Sequence, residues 1–281
     1  MTHKREQDSD VSGGSVFNRL LVGVDGSEAG FEACRQAARL AAPQAPIDLI
    51  AIVHLSTEVR SVYEAAKIAD RLQDKADEAL DRAARLIGGE RARPRVVDGF
   101  VTAALVREVE AAQATLLVVG THEHRRTTEI VIGGVVGELL HGAPCSVLVA
   151  RRPVEPDRFP RSVVVGVDGS PCSEYAFQAA EQLARRYQVP LRVVAATRSD
   201  HVELELIRRC SPGVEAIDAR PVDALVSASS AADLLVVGSR GLRGIHALGS
   251  VSERAAHQAS CSVLVARSLG RGPDQAPGDS Q

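Results

Sequence analysis

The chain repeats itself, and nothing else in it constrains the fold so strongly. RLLVGVDGS (Arg19 to Ser27) returns as SVVVGVDGS (Ser162 to Ser170). ATLLVVGTH (Ala114 to His122) returns as ADLLVVGSR (Ala232 to Arg240), and APCSVLVAR (Ala143 to Arg151) as ASCSVLVAR (Ala259 to Arg267). The three pairs keep their order, but the offset falls from 143 (168−25) to 116 (266−150), so the second copy lacks 27 residues of the interior. A unit this long, present twice, predicts two similar domains rather than a solenoid. The expected division is a tail over 1–15, a first domain over 16–152, a linker over 153–160, a shortened second domain over 161–268 and a tail over 269–281. Pro153, Pro156 and Pro160 stiffen the linker, and the Gly/Pro/Ser/Asp-rich tails are expected to be disordered.

Within each copy, LLVGV, LIAIV, LLVVG and SVLVA are continuous apolar runs. Such runs fit strands buried on both faces, as in a parallel sheet. Helical periodicity fills the intervals, over 31–42, 59–87, 103–112 and 135–141 in the first copy. In the second copy helices are expected over 172–187, 222–230 and 250–258, with strands at 163–167, 191–196, 213–218, 234–238 and 262–266. Strand and helix alternate, so each copy reads as a doubly wound α/β domain. The missing residues fall where the first copy has its long helix.

Composition narrows the function. Lys and Arg number 33 against 36 Asp and Glu, and aromatics make up 3%. That balance argues against a nucleic-acid surface built on basic patches and stacking rings. No apolar run reaches the ~18–20 residues of a membrane span, and the polar start lacks the apolar core of a secretory signal. Five cysteines without a C-x-x-C spacing fit a reducing cytoplasm rather than a disulfide framework or a zinc site. His122 and His124 flank Glu123, but no third ligand stands at a known metal spacing.

In doubly wound sheets, ligands bind beyond the carboxyl ends of the strands, where the strand order reverses. Asp25-Gly26-Ser27 and Asp168-Gly169-Ser170 follow the first strands there. Gly120-Thr121-His122-Glu123 and Gly238-Ser239-Arg240-Gly241 follow the fourth strands. Those loops run on to helix starts at Gly133-Gly134 and Gly249-Ser250. Glycines admit close approach of an anion, and a helix start offers unpaired N–H groups, which suits a phosphate.

From Leu20 to Arg267 the chain resembles the universal stress protein family in its tandem form. The V-D-G-S, V-V-G-S-R-G, G-S-V-S-E and A-P-C-S-V-L-V segments carry the likeness. It implies five parallel strands ordered 3-2-1-4-5 in each copy and a role in stress responses. In the family's ATP-binding branch a G-x2-G-x9-G-[S/T] loop holds the phosphates, and the aspartate after strand one lies near base and ribose. Both copies depart from that pattern. The first has Glu123 for the second glycine and Gly134 for the Ser/Thr. A carboxylate ~6 Å from a phosphate at an effective dielectric of ~20 repels it by ~3 kcal/mol per unit charge before screening. The second copy keeps its glycines and Ser250, but only seven residues (242–248) separate Gly241 from Gly249.

The expected nucleotide site is therefore in the second copy: Asp168, Gly238, Arg240, Gly241, Gly249 and Ser250, with ATP or ADP as ligand. A degenerate counterpart is formed by Asp25, Gly120, Glu123, Gly133 and Gly134. Plain roles compete with these. Asp25 and Asp168 suit turn caps, Ser170-Pro171 an N-cap and first helical residue, and Ser250 with Glu253 a capping box. Cys145 and Cys261 read as small buried residues, with no basic neighbour evident. A non-enzymatic cytoplasmic binding or regulatory protein is the leading expectation. A nucleotide-independent interaction protein acting through dimerisation is the second, and a slow ATPase without a Walker lysine the third. The last strands of the two copies should pair with each other, since exposed apolar edges aggregate. The missing helix should leave a sheet face to be covered by the 201–210 segment or by a second chain, which favours a homodimer.

Overall fold

The computed structural model describes residues 17–54, 62–121, 133–198, 207, 213–239 and 249–268. The first half runs β1 (Leu20–Gly23), α1 (Glu28–Leu40), β2 (Ile47–Val53), α2 (Val62–Ile87), β3 (Ala92–Asp98), α3 (Val101–Ala112), β4 (Leu116–Gly120), α4 (Gly134–Gly142) and β5 (Ser146–Ala150). The second runs β6 (Val163–Gly166), α5 (Pro171–Tyr187), β7 (Leu191–Ala196), β8 (Glu215–Ile217), α6 (Pro221–Ser229), β9 (Leu234–Gly238), α7 (Ser250–Gln258) and β10 (Ser262–Ala266).

All ten strands join in one sheet, ordered β3-β2-β1-β4-β5-β10-β9-β6-β7-β8. Each half is ordered 3-2-1-4-5, as expected, and is parallel throughout. The halves meet where β5 pairs antiparallel with β10, Val147 opposite Val265 and Val149 opposite Val263. The two edges that would invite aggregation therefore close on each other. At the outer edges, β3 carries exposed Arg93, Pro94 and Arg95, and β8 is three residues long. Both are poor templates for a further strand.

Helices cover both faces, and each face has its own apolar core. One core includes Leu20, Leu49 and Phe31 of the first half with Val165, Leu183 and Leu264 of the second. The other joins Leu21, Leu117 and Leu139 to Leu235, Ala255 and Val263. Burial across the seam stabilises the pair, at roughly 25 cal/mol per Å² of apolar surface. Helix starts follow local chemistry. The Ser27 hydroxyl accepts from Gly30 N (3.0 Å) and caps α1, while Ser170 accepts from Ser173 N (3.3 Å) and caps α5, with Pro171 next. The expected capping box at α7 is not formed. Gly249 is the N-cap, Ser250 the first helical residue, and Glu253 instead faces Nε2 of His141 on α4, at 3.2 Å.

The sheet face left by the missing helix is not bare. Ile207 is 3% exposed and belongs to the first core, while Leu191, Val193 and Val214 are half-buried against it. The rest of the 201–210 segment lies outside the described residues. Among the described residues, no helix is long and apolar enough to cross a membrane.

Candidate functional site

Both halves place an aspartate just beyond their first strand, and the turn fixes it. Asp25 Oδ1 accepts from Ser27 N (3.0 Å) and Oγ (2.6 Å), and Asp168 Oδ1 accepts from Ser170 at the same distances. The capping role is thus real in both copies, and it orients each carboxylate at the crevice. The next turn differs. A Cβ on Gly30 would come within 2.4 Å of Asp25 Oδ1. In the second half that position is Ser173, whose Oγ accepts from Asp168 N (3.3 Å) and donates to the Ser170 carbonyl (2.9 Å).

Gly120 and Gly238 end the fourth strands, and both have a packing reason to be glycine. A Cβ on Gly120 would lie 2.5 Å from the backbone carbonyl of Ala29, and one on Gly238 would lie 2.5 Å from that of Cys172. The strand end and the first turn of the capped helix touch backbone to backbone.

In the second half a cavity of about 100 Å³ opens between these elements, at the carboxyl ends of β6 and β9. Asp168, Gly238 and Gly249 line it together, three of the six residues expected of the site. Ser250 does not line it. Two residues further on, Ser252 does, with its hydroxyl donating to the Gly238 carbonyl (2.6 Å). Arg240 and Gly241 lie outside the described residues, as does Glu123. In the first half Asp25, Gly120, Gly133 and Gly134 occupy the corresponding turns and helix start.

Strand register aligns the two crevices residue by residue. Val194 and Ala196 of the second stand where the first has Ile50 and Ile52, and Ser252 stands where it has Val136. Smaller side chains and an extra hydroxyl thus open the second crevice. The rims also differ. His54 and Phe100 form a tilted ring pair, centroids 4.4 Å apart, at the first. At the second, the His54 position is Arg198, which pairs with Asp218 through Nε (2.8 Å) and Nη2 (3.0 Å) and holds that carboxyl below its usual range. Sequence reasoning missed Ser173, Ala196 and Ser252, which subtracting one copy from the other would have shown.

Cys145 and Cys261 are buried, and burial pushes both thiols up to about 12. The expectation that no base adjoins them is corrected. Arg267 lies by Cys145 and Arg151 by Cys261, and desolvation outweighs the charge. Among the described residues, no three His, Cys, Asp or Glu side chains stand together as a metal site.

Comparison with known proteins agrees with this architecture. A universal stress protein of Mycobacterium tuberculosis is 31% identical over 294 residues, covering 92% of this chain and 99% of that protein. One from Mycobacterium bovis is 28% identical over 288 residues, covering 88% and 96%. The crystal structure of a universal stress protein from Archaeoglobus fulgidus shares the fold, with a TM-score of 0.73 at 19% identity over 89% of this chain and 98% of that one. The sequence profile of the family matches residues 17–151, 160–208 and 211–267. The chain belongs to the universal stress protein family.

Proposed function

We propose that the protein is a cytoplasmic stress-response binding protein whose second crevice takes an adenine nucleotide, ATP or ADP, and which acts by binding rather than by catalysis. The observation that carries this reading is the cavity that Asp168, Gly238 and Gly249 line at the reversal of strand order between β6 and β9. The N-terminal turn of α7 faces the cavity through Gly249 and supplies backbone donors for phosphate. Asp168, oriented by its turn, is the group for ribose or base. Charge-assisted hydrogen bonds to phosphate contribute roughly 1.5–3 kcal/mol each, so two or three supply roughly 3–9 kcal/mol, and affinity should be micromolar or weaker.

Calorimetry with ATP and ADP tests this reading. Wild type should bind at one site per chain. Ala196→Ile, which places the first crevice's side chain in the second, should weaken binding at least tenfold. Ile52→Ala should leave it unchanged. Tight binding that survives Ala196→Ile, or loss on Ile52→Ala, would move the site elsewhere.

A second reading, self-association, is favoured by the mouth of the first crevice. Phe100 is 72% exposed there, with Val101 and Val135 exposed on the neighbouring turns of α3 and α4. Thr102 Oγ1 donates to Glu138 Oε2 (2.6 Å) and ties those turns together. An apolar rim of this kind suits a second copy of the chain.

A further inference from the structure

Two buried arginines cross between the halves. Arg151 follows β5 and is 4% exposed, and its guanidinium donates to the carbonyl of Ala256 in the last turn of α7 and to that of Cys261 (3.1 Å), just before β10. Arg267 follows β10 and mirrors it, donating to the carbonyls of Leu140 and Ala143 at the end of α4. The last carbonyls of a helix have no partner within it. An aliphatic side chain at either position would take the donor from a last-turn carbonyl, Ala256 on α7 or Leu140 on α4. Burial disfavours both cations and lowers Arg151 to about 10. The contacts to the opposite helix are what offset that cost.

The opposite end of α7 is a wall of the second crevice, through Gly249, Val251 and Ser252. A nine-residue helix moves as a rod, so the placement of its first turn depends on where its last turn is held. Its N-cap, Gly249, offers no side-chain hydrogen bond, so the first turn is held by the Ser252 hydroxyl on the Gly238 carbonyl (2.6 Å) and, through the helix, by the last turn. Arg267 reaches two carbonyls at the end of α4 and Arg151 one on α7, but the backbone of Arg151 has a partner that its mirror lacks. Arg151 N donates to Ser262 Oγ (3.0 Å), and its carbonyl accepts from Gln36 Nε2 (2.7 Å). Ser262 Oγ donates in turn to Gln36 Oε1 (2.8 Å). At Arg267 the matching serine bond is present, from its N to Ser146 Oγ (3.0 Å), but the place of Gln36 is taken by Ala179.

We infer that Arg151 is a positioning residue for the second crevice: the first half, through this side chain and Gln36, sets the crevice wall of its neighbour. The ligand side of this inference rests on the nucleotide reading above, while the positioning itself is measurable without ligand. The first half is then a scaffold for the second.

Amide hydrogen exchange on the ligand-free full chain, followed by ATP calorimetry on the same samples, tests the inference. In Arg151→Met, amides of 250–258 should exchange at least tenfold faster while those of 134–142 stay as in wild type. Arg267→Met should do the reverse. ATP affinity should fall at least tenfold in Arg151→Met and stay within twofold in Arg267→Met. Arg151→Lys and Gln36→Leu should shift α7 in the same direction by less, and they carry the comparison where Arg151→Met fails to fold. Equal acceleration of both helices, or an α7 unmoved, would overturn the inference. Wild type that binds no ATP while the exchange pattern holds would sink the nucleotide reading and leave the positioning standing. ATP bound equally well by wild type and Arg151→Met would do the opposite.

Discussion

Val149 and Val263 face each other across an antiparallel ladder that joins two parallel half-sheets into one. Neither is accessible to solvent, and each half contributes to both apolar cores. Their neighbours Leu148 and Leu264 are also direct partners. Leu148→Ala and Leu264→Ala should each cost ~2–5 kcal/mol in urea unfolding. The double variant should lose less than the sum, because the two sites touch. Wild type should unfold in a single transition. Two separated transitions would mean that the halves are independent.

The glycines that end β4 and β9 separate packing from ligand chemistry. Gly120→Ala and Gly238→Ala each drive a methyl into backbone and should cost ~1–3 kcal/mol in denaturant unfolding, without any ligand present. A Cβ on Gly134 meets nothing within 4 Å, so Gly134→Ala should stay within ~0.5 kcal/mol of wild type. Equal effects at all three positions would contradict the close approach.

Cys34, Cys145 and Cys261 are raised by burial from 9.0 to about 12. For each thiol the folded pKa lies above the unfolded one. The stability it contributes is complete below pH 9 and is lost as pH rises toward 12. At pH 10 the loss is on the order of 1 kcal/mol per thiol. Unfolding measured at pH 7, 9 and 10 should show that decline, and Cys34→Ala should reduce it by about a third. In a Cys210→Ser background at pH 8, an aromatic disulfide reagent should modify half-buried Cys172 first and reach the other three only on unfolding. Native-state modification of Cys145 would contradict its burial.

Association should depend on the first crevice's rim. Sedimentation velocity at high micromolar concentration should show a homodimer that Phe100→Ser converts to monomer, with ATP affinity unchanged. A monomeric wild type would end the self-association reading.

Much of this architecture was legible in the residues. The continuous apolar runs marked β1, β2, β4 and β5 and their counterparts, and the exposed apolar edges in the order implied by the family resemblance pointed to the pairing of β5 with β10. Strand β3 did not show itself, because Arg93, Pro94 and Arg95 are the residues an edge strand uses to stay unpaired and are not those of a buried run. The Asp and Gly positions at the crevice were legible because turns and close approaches demand those residue types. Ser252 was not, since a hydroxyl one turn into a helix carries no signal until the strand end that it bonds is placed beside it. Arg151 and Arg267 stood in plain view after SVLVA. Their partners, however, are carbonyls 105 to 127 residues away, which only the folded chain brings together.

The seam between β5 and β10 lies within one polypeptide, and this changes how the assembly responds to dilution. A pair of separate subunits obeys mass action and comes apart as their concentration falls. Here the linker holds the two edges at a fixed effective concentration, whatever the abundance of the protein. Substitutions in one half are also not copied automatically into the other, as they would be in a symmetric dimer. The two crevices can accordingly differ, one holding Ile50, Ile52 and Val136 where the other has Val194, Ala196 and Ser252.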